Sequence, residues 1–185
     1  PFMPGLKRLL LLGDSIRMSY MPALRAILNG RAEVVGPEEN CQFRTQTPGG
    51  WGAPPNGNNP GAYLHDNFAS CFPNGLVIGC DNTLELTSAQ AVTDYLPSGG
   101  SPAYLPSGNM VDPTNYGNVF AGHLTALTLS VAFDACDPDF SPATIDLGDA
   151  VLGSGPLQGM TVYELLEEAN SSIGGCGSGY SKNQL

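Results

Sequence analysis

Charge is scarce in this chain of 185 residues. Only 7 residues are Lys or Arg, and all charged residues together make up 13%, about half the usual share of a soluble domain. Seven bases against 17 acids, a net charge of −10, exclude the clustered basic stripe that nucleic-acid binding requires. Long apolar runs are missing as well. The longest strongly apolar stretch, Leu9–Leu12, is far short of the ~20 residues of a membrane helix, so no membrane span is expected. The same run is too short for the core of a secretory signal, and it leads into Gly13-Asp14 rather than a small-residue cleavage site. Zinc spacing is absent: no Cys-x-x-Cys and no Cys/His pair at ligand spacing occurs, which argues against a metal–thiolate cofactor. Glycine and proline, at 24 and 16, make the chain rich in loops, yet 42% hydrophobic residues suffice for a core and set it apart from a disordered polymer.

The charges that are present divide the chain. Residues 1–50 carry six bases and four acids; residues 51–185 carry thirteen acids and the single base Lys182. Such a shift can mark a basic arm on an acidic domain or a junction between two sequence sources; the expected division is an N-terminal segment 1–44 and a domain 45–185. The opening on Pro1 is that of a processed chain or a piece of a longer one, and the tail Gly177–Leu185 reads as cut mid-pattern. Cys71, Cys80, Cys136 and Cys176 are disulfide candidates. Cys71 with Cys80 would close a short loop, Cys136 with Cys176 would join two helices, and Cys41 is left over. Low charge, abundant Gly and Pro and pairable cysteines point to an oxidising, extracellular or cell-surface location, with buried free thiols as the alternative.

Hydrophobic patterning gives a coarse secondary structure. Leu6–Leu12 and Ala32–Val35 read as buried strands flanking a helix with Pro22 in its first turn and Asn29-Gly30 at its end. Residues 36–61 are mostly turn chemistry, followed by a short helix over Ala62–Phe72. Leu76–Ile78 and Thr83–Leu86 pair as a hairpin, and Thr87 with Gln90 offers a capping box for a helix over Ser88–Leu96. Pro97–Pro113 reads as loop. Val119–Cys136 is a helix apolar on most sides, the mark of a central buried element. A last helix starts at the capping box Thr161/Glu164 and ends at Gly174-Gly175. The expected fold is an α/β or α+β mosaic: a short β-α-β opening, then a helix-rich, loop-rich domain with a small β-hairpin.

The sharpest catalytic signal is Leu9-Leu-Leu-Leu-Gly-Asp-Ser-Ile16. A serine on the turn after a first buried strand stands at the carboxyl edge of the sheet, where α/β folds place their ligands, and the next helix aims its first amides there. Gly13-Asp-Ser-Ile-Arg-Met-Ser-Tyr20 and Val34-Val-Gly-Pro-Glu-Glu-Asn-Cys41 resemble the first block and second strand of the SGNH (GDSL-type) hydrolases; the resemblance covers residues 5–43. It implies Ser15 as nucleophile, with its backbone amide in the oxyanion hole. Asn59, in Asn58-Asn-Pro-Gly-Ala-Tyr-Leu-His-Asp66, is the best match to the oxyanion asparagine of that family. The distal Asp-x-x-His of the family has no counterpart. His65 and His123 are therefore the two candidate bases, with Asp66 or Asp112 to orient them. Otherwise His65 is a surface helix residue and His123 a core histidine.

From about residue 45 the chain is similar to something else. Thr47-Pro-Gly-Gly-Trp-Gly52, Phe72-Pro-Asn-Gly-Leu-Val-Ile-Gly79, Tyr95-Leu-Pro-Ser-Gly-Gly100, Ala121-Gly-His-Leu-Thr-Ala-Leu127 and Gly159-Met-Thr-Val-Tyr-Glu-Leu165 resemble an uncharacterised domain. That domain recurs in large secreted or surface-displayed proteins of Bacteroidetes-type bacteria. The resemblance brings no catalytic residues; it implies a non-catalytic structural or interaction module whose partner is another extracellular protein or a glycan. No cofactor is expected, calcium excepted: Asp134, Asp137 and Asp139 are candidate calcium ligands, or else solvated acids at a helix end. Trp51, Tyr63, Tyr95, Tyr104 and Tyr116 are either platforms for sugar rings or loop anchors in the core.

Overall fold

The computed structural model describes residues 44–143, 145–180 and 185, and the backbone of two strands at 7–10 and 32–35. Strands β1 (Lys7–Leu10) and β2 (Ala32–Val35) pair in parallel, Leu9 beside Val34. A parallel pair needs a long crossover, in keeping with a β-α-β opening. The crossover itself, with the expected helix, the Ser15 turn and Cys41, lies outside the described residues.

Helix α1 (Pro48–Trp51) forms where only turn chemistry was expected. Thr47 accepts a hydrogen bond from the Gly50 amide, Pro48 takes the first turn, and burial of Trp51 holds the result. Helix α2 (Pro60–Cys71) begins two residues before its expected start. Asn59 caps it and Pro60 supplies a preset first residue.

Strands β3 (Leu76–Gly79) and β4 (Thr83–Leu86) form the expected antiparallel hairpin, with Leu76 opposite Leu86 and Ile78 opposite Leu84. These four side chains face the core, while Val77 and Glu85 alternate outward. Helix α3 (Ala89–Tyr95) is capped by Ser88, not by Thr87. The Thr87 amide and hydroxyl instead donate to Asp112, tying the end of β4 to the chain beyond β5. That fifth strand, β5 (Asn109–Val111), runs parallel to β4 inside the segment read as loop.

Helix α4 (Val119–Cys136) is the core element, with buried residues around most of its circumference. By length and composition alone it would also pass for a membrane span, although 56% of it is buried in the protein. Its cap is Asn118, fully buried: the side chain accepts from the Phe120, Ala121 and Ala103 amides and donates to Ala103 O and Tyr116 Oη. Helix α5 (Val162–Gly174) carries the expected capping box, and left-handed Gly175 ends it at φ 87°. The core proper lies between α4, the inner face of the sheet and α1, α2 and α5, with Trp51, Leu64, Leu84, Leu129, Phe133 and Ile173 at its centre. A smaller cluster of Val131, Leu147 and Val162 sits under a 3₁₀ turn at Leu147–Asp149. The described residues thus form an α+β mixture with a small mixed sheet.

The four expected cysteines are all bridged, with the partners exchanged. Cys71 joins Cys136, and Cys80 joins Cys176. The first bridge links the ends of α2 and α4; the second ties the hairpin turn to the residue past α5. Closeness in sequence misled here, because a loop closed by Cys71–Cys80 would cross-link neighbours that β3 already carries apart. The two bridges suit an oxidising compartment.

Candidate functional site

The hydrolase candidates fall into separate structural roles. Ser15 lies outside the described residues. Asn59 is committed as a helix cap: its Oδ1 accepts from the Ala62 amide at 2.8 Å and the Asn56 amide at 3.1 Å, and its Nδ2 donates to Pro54 O at 2.8 Å. The cap fixes the orientation of the carboxamide, with Oδ1 on the first turn of α2 and one of the two Nδ2 hydrogens on Pro54 O. His65, half-buried on α2, pairs through Nε2 with Thr93 Oγ1 at 3.0 Å. The Thr93 hydroxyl is also in hydrogen-bond contact with Ala89 O on its own helix. His123 is exposed on α4, where a buried histidine was the other expectation. Asp66 is exposed, and Asp112 holds Thr87. Among the described residues neither histidine is hydrogen-bonded to a carboxylate.

Two of the three aspartates at the end of α4 organise a loop, and Asp139 is exposed. Asp134 accepts from the Ser141 hydroxyl and the Leu147 amide. Asp137, the C-cap, accepts from the Tyr63 hydroxyl and the Asp139 amide. Between them and Asp146 opens a hollow of roughly 200 Å³ walled by Pro138, Ser141 and Ile145. Among the described residues no three His, Cys, Asp or Glu side chains converge as a metal would need. A second hollow of roughly 220 Å³ lies between α2 and the start of α3, lined by His65, Phe68, Phe72, Pro73 and Thr87.

The Tyr63–Asp137 bond shifts both groups. The hydrogen bond from Tyr63, then that from the Asp139 amide, holds the Asp137 carboxyl below its ordinary range, with Arg44 adding a smaller effect. Burial first, then the bond and charge of Asp137, push the Tyr63 phenol up. A lowered carboxylate stabilises the fold above its unfolded pKa of about 3.9 and loses that contribution as pH falls further. A raised phenol stabilises below about 10 and loses its contribution above it. Tyr63→Phe is therefore expected to shallow the acid limb of a melting-temperature profile below about pH 4. An acid limb identical to wild type would disprove the coupling.

The aromatic candidates divide likewise. Trp51 and Tyr95 are core residues, and burial pushes the Tyr95 phenol up to about 12. Tyr116 supports the Asn118 cap, and Tyr63 lies under Arg44, whose guanidinium also covers Phe140. Of the five, Tyr104 is the one that is mostly exposed, at 54%. Sequence reasoning passed over Tyr163, which is 43% exposed at the start of α5. Its signal was a large aromatic two residues past the cap, on the turn that a packed helix usually gives to polar side chains.

No family model, curated protein or solved structure matches the chain. Its chemistry must be read from its own residues.

Proposed function

We propose that this chain is a non-catalytic, extracellular structural or interaction module of a bacterial surface or secreted protein. The observation that carries the reading is that neither candidate base, His65 nor His123, is hydrogen-bonded to a carboxylate among the described residues. Asn59 caps a helix, His65 bonds Thr93, and Asp112 bonds Thr87. A serine without a positioned base is a poor nucleophile, and losing a triad partner costs on the order of 10⁴ or more in turnover. Two disulfides within the domain support the extracellular part.

Intact mass after incubation with a fluorophosphonate probe tests the reading, with Ser15→Ala alongside. The expected result is no adduct that depends on Ser15. A single adduct confined to the wild type would overturn the module reading in favour of an SGNH-type serine esterase.

A further inference from the structure

Three exposed apolar side chains surround the 3₁₀ turn at Leu147–Asp149. Ile145 precedes it and is 56% exposed; Val151 follows it, is 58% exposed and bridges to Thr161; Tyr163 covers it. The Tyr163 ring is seated on the turn itself. A Cβ on Gly148 would stand 2.1 Å from two of its ring atoms, so glycine is what lets the ring lie against the backbone. A tyrosine held this way presents a large apolar face at little cost in lost rotamer freedom.

Negative charge rings the same spot. Asp146 and Asp149 flank the turn, and Asp134 reaches it from α4 through the Leu147 amide. Burial, and then the charges of Asp146, Asp149 and Asp134, hold the Tyr163 phenol above its ordinary value. Asp146 and Asp149 have no ion-pair or hydrogen-bond partner for their carboxylates among the described residues, and Asp146 caps the turn without using its side chain. The roughly 200 Å³ hollow opens beside them and shares Asp134, Ile145 and Asp146.

We infer that this face docks a basic polypeptide segment, with an Arg or Lys head group over Tyr163 among Asp134, Asp146 and Asp149 and an apolar neighbour against Ile145 and Val151. Charge complementarity selects the occupant. A cation over a tyrosine face is attracted by the ring quadrupole, and a ring of carboxylates adds to that attraction while steering the encounter. Residues 51–185, with thirteen acids and one base, repel a second acidic domain, a nucleic acid or an anionic lipid surface. A neutral glycan would use the ring and leave the carboxylates idle. The inference rests on the module reading and names the partner class that reading leaves open.

Calorimetric titration of the full chain tests it. The probes are an acetylated, amidated alternating Arg/Leu pentapeptide, its Glu/Leu counterpart and its Arg/Ser counterpart. The Arg/Leu peptide is expected to bind most tightly and to weaken with added salt. Tyr163→Ala, and separately Asp146→Asn with Asp149→Asn, are each expected to weaken it by about tenfold or more. Asp66→Asn, an exposed carboxylate on α2, is expected to change nothing. The double Asn variant removes no cap, so it reports even if Tyr163→Ala disturbs the turn. No binding to wild type, or equal losses in Asp66→Asn, would overturn the inference. Self-association lost in Tyr163→Ala would overturn it too, by placing a second copy on the face. A Ser15-dependent probe adduct would overturn the module reading without touching this titration, so the two failures are distinct.

Discussion

Replacing Cys71 and Cys136 together with serine is expected to lower folding stability by about 4 kcal/mol. The bridge closes a loop of 65 residues, and the Cys80–Cys176 bridge one of 96. Chain-entropy arithmetic puts the two at about 4 and 5 kcal/mol. Total stability for a domain of this size is about 5–15 kcal/mol, so either bridge is a large share of the whole. The loops interleave, since Cys80 lies inside the first and Cys136 inside the second, and the two effects will not simply add. Thermal melts should show a fall on the order of 10 °C for either paired variant. Full reduction should leave the domain mostly unfolded. Peptide mapping without reductant should recover Cys71 linked to Cys136, and denatured, unreduced protein should show at most one reactive thiol. A Cys71–Cys80 peptide, or melts unchanged by reduction, would refute the staple.

Local signals survived translation into structure, and non-local ones did not. Thr161 and Glu164 specify a helix start within four residues, and the apolar run Val119–Cys136 specifies a core helix without reference to anything else. The hairpin also carried its own alternation, Leu76 and Ile78 against Leu84 and Leu86. Strand β5 had no such signature: of Asn109, Met110 and Val111 only Met110 turns inward, and the segment becomes a strand because β4 is there to pair with. The Thr87–Gln90 capping box failed for a related reason. Asp112, distant in sequence, took the Thr87 hydroxyl, and Ser88 took the cap. Cysteine identity was legible and cysteine pairing was not, because pairing is set by where α2, α4 and α5 end in space. The candidate site obeyed the same rule. Gly-Asp-Ser and the two histidines could be read off the chain, and the Asn59 cap is itself local, bonded to Asn56 and Ala62; the Thr93 hydroxyl that engages His65 is a neighbour that only folding supplies.

Trp51→Ala is expected to cost about 3–5 kcal/mol, the usual loss for a fully buried large aromatic. Trp51 is 0% exposed although it ends a helix of only four residues, so packing rather than helix propensity holds α1 in place. Its ring lies 5.2 Å from Phe133 and 6.3 Å from Phe140, and its indole N–H donates to Ser130 Oγ on α4 at 3.3 Å. Phe140 and Tyr63, which complete the cluster, are the rings under Arg44. Removing the indole opens a cavity between α1 and α4 and loosens the seat of Arg44. Trp51→Phe keeps a ring in the cluster and gives up the hydrogen bond, worth about 1 kcal/mol net, so it should fall well short of the alanine loss. Trp51 is the sole tryptophan, so wild-type emission should be blue-shifted in the fold and move red in a single step on unfolding. Both variants are followed by circular dichroism. An alanine variant within about 1 kcal/mol of wild type would mean that α1 is an ornament on the core, and the packing argument for it would have to be given up.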